Sequence, residues 1–104
     1  MLISKQNILS GDIASFKLNN GDELVARIKE VSSDTYVLSK PCVVVPSQQG
    51  IGLMQAMFTV DPEKTIELNR AHVMMTAPTV EAIQNHYIKT TTGIEPVTRG
   101  GIIA

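Results

Sequence analysis

Apolar and polar residues alternate with period two through most of the chain, and turn-forming clusters interrupt them about every ten residues, the pattern of a small all-β domain. The first run, about residues 12–19, places Ala14, Phe16 and Leu18 on one face and Ser15, Lys17 and Asn19 on the other. Asn20-Gly21 then turns the chain, because both residues tolerate the positive φ angles of a tight hairpin. A second run over 23–31 points Leu24, Ala26 and Ile28 inward and Val25, Arg27 and Lys29 outward. Val31 breaks this phase, which predicts a bulge or a sharp bend. After the turn Ser32-Ser33-Asp34, a third run over 35–45 is rich in β-branched residues but contains Pro41. Proline cannot donate a ladder hydrogen bond, so this strand must bend, bulge or go locally unpaired.

Residues 46–50 read as a loop, and 51–60 as a fourth strand with Ile51, Leu53 and Met57 on one face and Met54, Ala56 and Phe58 on the other. Both faces are largely apolar, so the strand needs cover on both sides. Asp61-Pro62-Glu63-Lys64 has turn chemistry, Pro62 presetting φ. A fifth run spans 65–75, with its alternation slipping near Asn69-Arg70. The period then changes: Thr79 as N-cap, Glu81 in the first turn and an apolar stripe of Val80, Ile83, Tyr87 and Ile88 predict a helix over 80–91. Gly93 would close it as a left-handed cap, and 94–104, with Pro96 and Gly100-Gly101, reads as a flexible tail. The expected fold is therefore mainly β: one domain over 1–93, a strongly bent five-stranded antiparallel barrel of SH3 type followed by a C-terminal helix.

Composition narrows the function. The chain has 104 residues, 43% of them hydrophobic, as in a globular domain. The single Cys42 closes no internal disulfide, and the absence of a signal-type or long apolar segment points to a cytoplasmic protein without a membrane partner. Nine basic and ten acidic residues leave a net charge of −1, so any nucleic-acid site must be local. Without Trp and with two Tyr and two Phe, base-stacking platforms are scarce. No nucleophile, base and orienting group share a motif among Cys42, His72, His86 and the carboxylates, so neither an enzyme nor a cofactor is expected. Two isolated His and one Cys make no zinc spacing. Cys42, between Pro41 and three valines, reads as an inert core thiol.

An open sheet leaves unpaired edges, and 51–60 carries no charge to blunt its own. Pairing it with the fifth strand of a neighbour satisfies both edges, and such a heterologous contact closes into a ring or continues as a filament. The alternative is that the C-terminal helix covers this edge within one protomer.

The spacing Phe16-x-Leu18-x-x-Gly21-x-x-Leu24-x-Ala26-x-Ile28-x-x-Val31 is similar to the first motif of the Sm/LSm family, which includes the bacterial Hfq proteins, and the resemblance covers about residues 12–76. It implies a ring of about five to seven copies of the chain and single-stranded RNA as a partner, in a riboregulator or chaperone role. Ala26 stands where the family has a second glycine, and Asp34 and Tyr36 match the family's Asp-x-x-Met-Asn only with a shift, leaving its base-contacting Asn without a counterpart. Leu68-Asn69-Arg70-Ala71-His72 echoes the second motif without its glycine. The family places that motif between its last two strands, whereas the strand count puts 61–64 there and leaves Arg70 and His72 on a strand. The extended fourth strand and the C-terminal helix resemble a divergent branch of phage or environmental bacterial origin.

The resemblance thus nominates Arg70, His72, Asp34 and Tyr36 for RNA. Each also has an ordinary structural use: Arg70 in an ion pair with Glu67 or Glu30, His72 as a half-buried strand residue, Tyr36 as barrel filling. Met54, Met57, Met74 and Met75 read as packing inside the barrel or between protomers, or as an adaptable surface for a partner. A ring that has lost the RNA site and serves as a structural or protein-interaction module is the rival reading.

Overall fold

A computed structural model describes residues 9–48 and 50–92. Six strands form one antiparallel sheet: β1 (Ile13–Leu18), β2 (Glu23–Val31), β3 (Thr35–Ser47), β4 (Gly50–Gln55), β5 (Thr65–Asn69) and β6 (Val73–Pro78), followed by helix α1 (Glu81–Thr92). The strand order is β4-β3-β2-β1-β6, and β5 also pairs with β3. β3 is long enough to hold two partners on one edge, β5 along Thr35–Ser39 and β4 along Cys42–Ser47. No ladder joins β5 to β6, so the bent sheet stays open.

The bends fall where the sequence demands them. Val25 pairs with Cys42 and Arg27 with Ser39, so Lys40 and Pro41 together oppose Ala26 alone. This bulge places the prolyl nitrogen where no donor is needed and turns Lys40 to φ +50. A second shift leaves Lys29 as the extra residue of β2, the source of the phase break at Val31. Between β1 and β2, Gly21 takes φ +96 while Asn20 Oδ1 accepts the amide of Asp22 at 2.9 Å.

Burial divides between the two faces of the sheet. Phe16, Leu24, Ala26, Ile28, Tyr36 and Leu38 form the core on one face, together with Ala14. On the opposite face Ile13, Val25 and Cys42 are covered by α1 through Tyr87, with Ile83 and Ile88 at the margin. Val25 thus points away from the first core, as its alternation requires, yet is fully buried. The Tyr87 ring is 2% exposed, and its hydroxyl sits over the β3 bulge. There it accepts the amide of Arg27 at 3.0 Å and points its proton between the carbonyls of Ser39 (2.7 Å) and Lys40 (3.0 Å). Backbone groups freed by the bulge are satisfied by this one side chain.

Four expectations need correction. The fourth strand ends at Gln55 rather than at residue 60, because Gln55 Nε2 turns back to the carbonyl of Met57 at 2.8 Å and the chain leaves the ladder. The fifth run, 65–75, is two strands separated by a 3-10 turn at Arg70–His72; Asn69 Oδ1 accepts the amide of Ala71 at 2.9 Å and ends β5. The sheet therefore has six strands, not five. Thr79 is not the helix cap: its hydroxyl bonds Ser15 Oγ at 2.8 Å, while the carbonyl of Val80 opens the helix and the Val80 side chain faces solvent. The helix otherwise lies one residue from its expected bounds; Gly93 and the tail 94–104 lie outside the described residues. No helix among the described residues is long and apolar enough to cross a membrane.

Candidate nucleic-acid interface

Two turns meet at one end of the sheet. The β2–β3 turn is closed by Ser32, whose amide donates to the Thr35 carbonyl at 2.9 Å and whose Oγ accepts the Thr35 amide at 3.1 Å. The 3-10 turn between β5 and β6 docks against it: the Arg70 amide donates to the Asp34 carbonyl at 2.9 Å, and Arg70 Nη1 donates to the Ser32 carbonyl. This leaves the guanidinium lying over the Tyr36 ring, with Cζ 4.9 Å from the centroid. Tyr36 in turn packs on Phe16, centroids 5.0 Å apart and planes at 59°. The guanidinium is thus fixed from beneath by an aromatic column rooted in the core and from the side by a backbone carbonyl, while Arg70 itself remains exposed.

Arg70, Asp34 and Tyr36 are therefore brought together. Asp34 contributes its carbonyl to the dock, and its exposed side chain stands at the turn. Tyr36 is 5% exposed, which leaves its ring no free face for a base; it fills the core and supports Arg70. His72 lies on the far side of the 3-10 turn. Its carbonyl accepts the Asn19 amide at 2.9 Å, and Asn19 Nδ2 reaches the Ala71 carbonyl at 3.3 Å, so the β1–β2 loop braces that side. The His72 side chain is exposed rather than half-buried on a strand. Neither Glu67 nor Glu30 pairs with Arg70; the one ion pair among the described residues joins Lys40 and Glu63 at 3.6 Å. Ser32, Asn69 and Asn19, which hold the turns in place, escape a search for functional residues. Their signal is turn chemistry, short side chains that bond their own or a neighbouring backbone.

The sheet edges form the other exposed feature. Among the described residues β4 and β5 pair only with β3, and β6 only with β1, so each has one edge without a ladder there. Lys17 pairs with Met75 and Leu18 with Val73, which makes Met74 a bulged residue and exposes both methionines at 61%. Ile51, Met54, Met57 and Phe58 line the β4 side, Phe58 at 68% exposure. The methionines do not fill the core of this chain. α1 packs on the face formed by Ile13, Val25 and Cys42, with Leu53 of β4 at the margin of the same cluster.

Cys42 is buried beneath α1, and desolvation pushes its thiol pKa up. Among the described residues no three His, Cys, Asp or Glu side chains gather as metal ligands. Compared with known proteins, the chain matches no family profile and no curated protein.

Proposed function

We propose that the chain is an Sm-like protein that assembles edge to edge with copies of itself into a ring and offers single-stranded RNA a contact centred on Arg70. The observation that carries this reading is the exposed Arg70, whose guanidinium carbon lies 4.9 Å from the centroid of the Tyr36 ring while its Nη1 donates to the Ser32 carbonyl. A planar cation fixed in this way can stack on a base and still donate to a phosphate. The exposed Asp34 side chain at the neighbouring turn, and His72 on the far side of the 3-10 turn, are the further candidate contacts.

The position of the 3-10 turn supports the Sm-like comparison. Arg70–His72 lies between the last two strands, β5 and β6, where the family carries its second motif, while 61–64 belongs to the preceding β4–β5 connection. On this reading β4 and β5 are one family strand interrupted by residues 56–64.

Fluorescence anisotropy with labelled oligo-uridine and oligo-adenine tests the RNA contact. Binding should fall steeply as salt rises, since a phosphate contact releases counterions. Arg70→Ala should weaken it about tenfold or more, and Arg70→Lys nearly as much because an ammonium cannot stack. No binding at low salt removes RNA from the account. The second reading, a ring that serves only as a structural or protein-interaction module, is favoured by the net charge of −1 and by the apolar edges at Met74 and Met75.

A further inference from the structure

Of the four aromatic residues in the chain, Phe16, Tyr36 and Tyr87 are buried, whereas Phe58 is 68% exposed. The chain just before it is held in place: the Ala56 amide donates to the Pro41 carbonyl at 3.0 Å, and Gln55 Nε2 donates to the Met57 carbonyl at 2.8 Å. Arg70, by contrast, is exposed at a turn that offers no free ring, since Tyr36 beside it is buried. Single-stranded RNA is bound by cations for its phosphates together with aromatic faces on which its bases stack. Within one protomer these two groups are kept apart, because the five residues of β5 put roughly 16 Å of strand between the β4–β5 connection and the 3-10 turn.

The sheet edges can bring them together between protomers. β4 and β6 are each six residues long and uncharged, and each has an outer edge without a ladder among the described residues. In an antiparallel pair that uses all six residues of both strands, Met74 faces the neighbour's Met54, Met75 its Leu53 and Ala77 its Ile51. β5 is the poorer partner, with five residues and a charge: pairing Val73 with Asn69 sets Met75 against Glu67. Pairing with β4 also decides what meets beyond the strand ends. Val73 faces Gln55, so Arg70–His72, which precede β6, run beside the neighbour's residues 56–58.

We propose, resting on the edge-to-edge assembly and the RNA contact of the preceding reading, that β6 of each protomer pairs with β4 of the next and that the neighbour's Phe58 completes the Arg70 site. Arg70 supplies the cation for a phosphate, and Phe58 supplies the face on which the adjoining base stacks. The site is incomplete in a single protomer.

Complementation tests this. Phe58→Ala and Arg70→Ala should each assemble like the wild type, and each should lower the affinity for labelled oligo-uridine and oligo-adenine about tenfold or more. Co-expressed in equal amounts, the two variants form mixed assemblies in which about one boundary in four joins an intact Arg70 to an intact Phe58, and that share of the wild-type sites should return. A site contained in one protomer would regain nothing. Under oxidation, Ile51→Cys combined with Ala77→Cys should link copies into dimers and higher species on a non-reducing gel, whereas Thr65→Cys with Ala77→Cys should not. Absence of restoration, linkage only through Thr65→Cys, or a Phe58→Ala chain that binds like the wild type or falls apart into protomers would each overturn the shared site while leaving the Arg70 contact standing. A wild-type chain that stays monomeric or binds neither oligonucleotide overturns it together with the reading beneath it.

Discussion

The hydroxyl of Tyr87, at the middle of α1, lies 3.0 Å from the backbone nitrogen of Arg27 and accepts its hydrogen bond at the point where β3 bulges away from β2. One side chain therefore joins the helix to the defect that bends the sheet. Tyr87→Phe keeps the ring but takes this partner from the Arg27 amide and the Ser39 carbonyl at a buried position, and leaves the Lys40 carbonyl only the Cys42 thiol at 3.7 Å. We predict a loss of about 1–3 kcal/mol, measured as a shift in urea unfolding.

The same hydroxyl makes stability depend on alkaline pH. Burial, partly opposed by the Arg27 amide, pushes the Tyr87 pKa up to about 12 from its ordinary 10.0. Below pH 10 both folded and unfolded chains keep the proton, and the contribution is complete. Between these values the unfolded chain ionises while the folded one does not, so stability should fall by up to about 1.4 kcal/mol per pH unit, then level off above 12. The part of the slope due to Tyr87 is the difference from Tyr87→Phe, in which it should vanish. Identical slopes in the two proteins would contradict the assignment.

Gly21 tests the hairpin. A Cβ built there meets nothing within 4 Å, but its φ of +96 is one that L-residues rarely take. Gly21→Ala should therefore cost about 1–2 kcal/mol through backbone strain alone, without a change in fold by circular dichroism. Gly21→Asn should recover part of it.

Cys42 reports on the helix. Its thiol is buried under α1 and its pKa is raised by desolvation, so a disulfide reagent should label the native protein slowly and the urea-unfolded protein at once. Labelling should accelerate in Tyr87→Phe as the helix opens more often. Rapid labelling of the native wild type would show that α1 does not cover this face.

Much of this was open to reading from the sequence where local chemistry and periodicity agree. The first two strands follow the alternation about Phe16 and Ile28, the hairpin follows Asn20-Gly21, and Pro41 announced the bulge because a residue without an amide has few places in a ladder. Legibility failed where an apolar residue is not a buried one. Met57 and Phe58 continue the pattern of the fourth strand, yet they stand outside the ladder and exposed. Val80 completes a helical stripe on paper, but the helix begins after it. The candidate site was half visible: Arg70 and Tyr36 could be named, but their contact depends on Asn69 ending β5 with its side chain. The slip in alternation at Asn69-Arg70 marked that place without revealing a turn. Tyr87 counted only as one apolar position, since nothing in a period discloses which backbone groups a hydroxyl will find.

Self-assembly through the uncharged edges is the central claim, and size-exclusion chromatography with light scattering tests it most directly. At micromolar concentration the wild-type chain should elute with about five to seven times the protomer mass of 11.3 kDa. Met74→Lys combined with Met75→Lys should reduce it to a folded protomer, because charges on the β6 edge oppose strand pairing. A wild-type chain that scatters as a stable 11.3 kDa monomer would contradict the account.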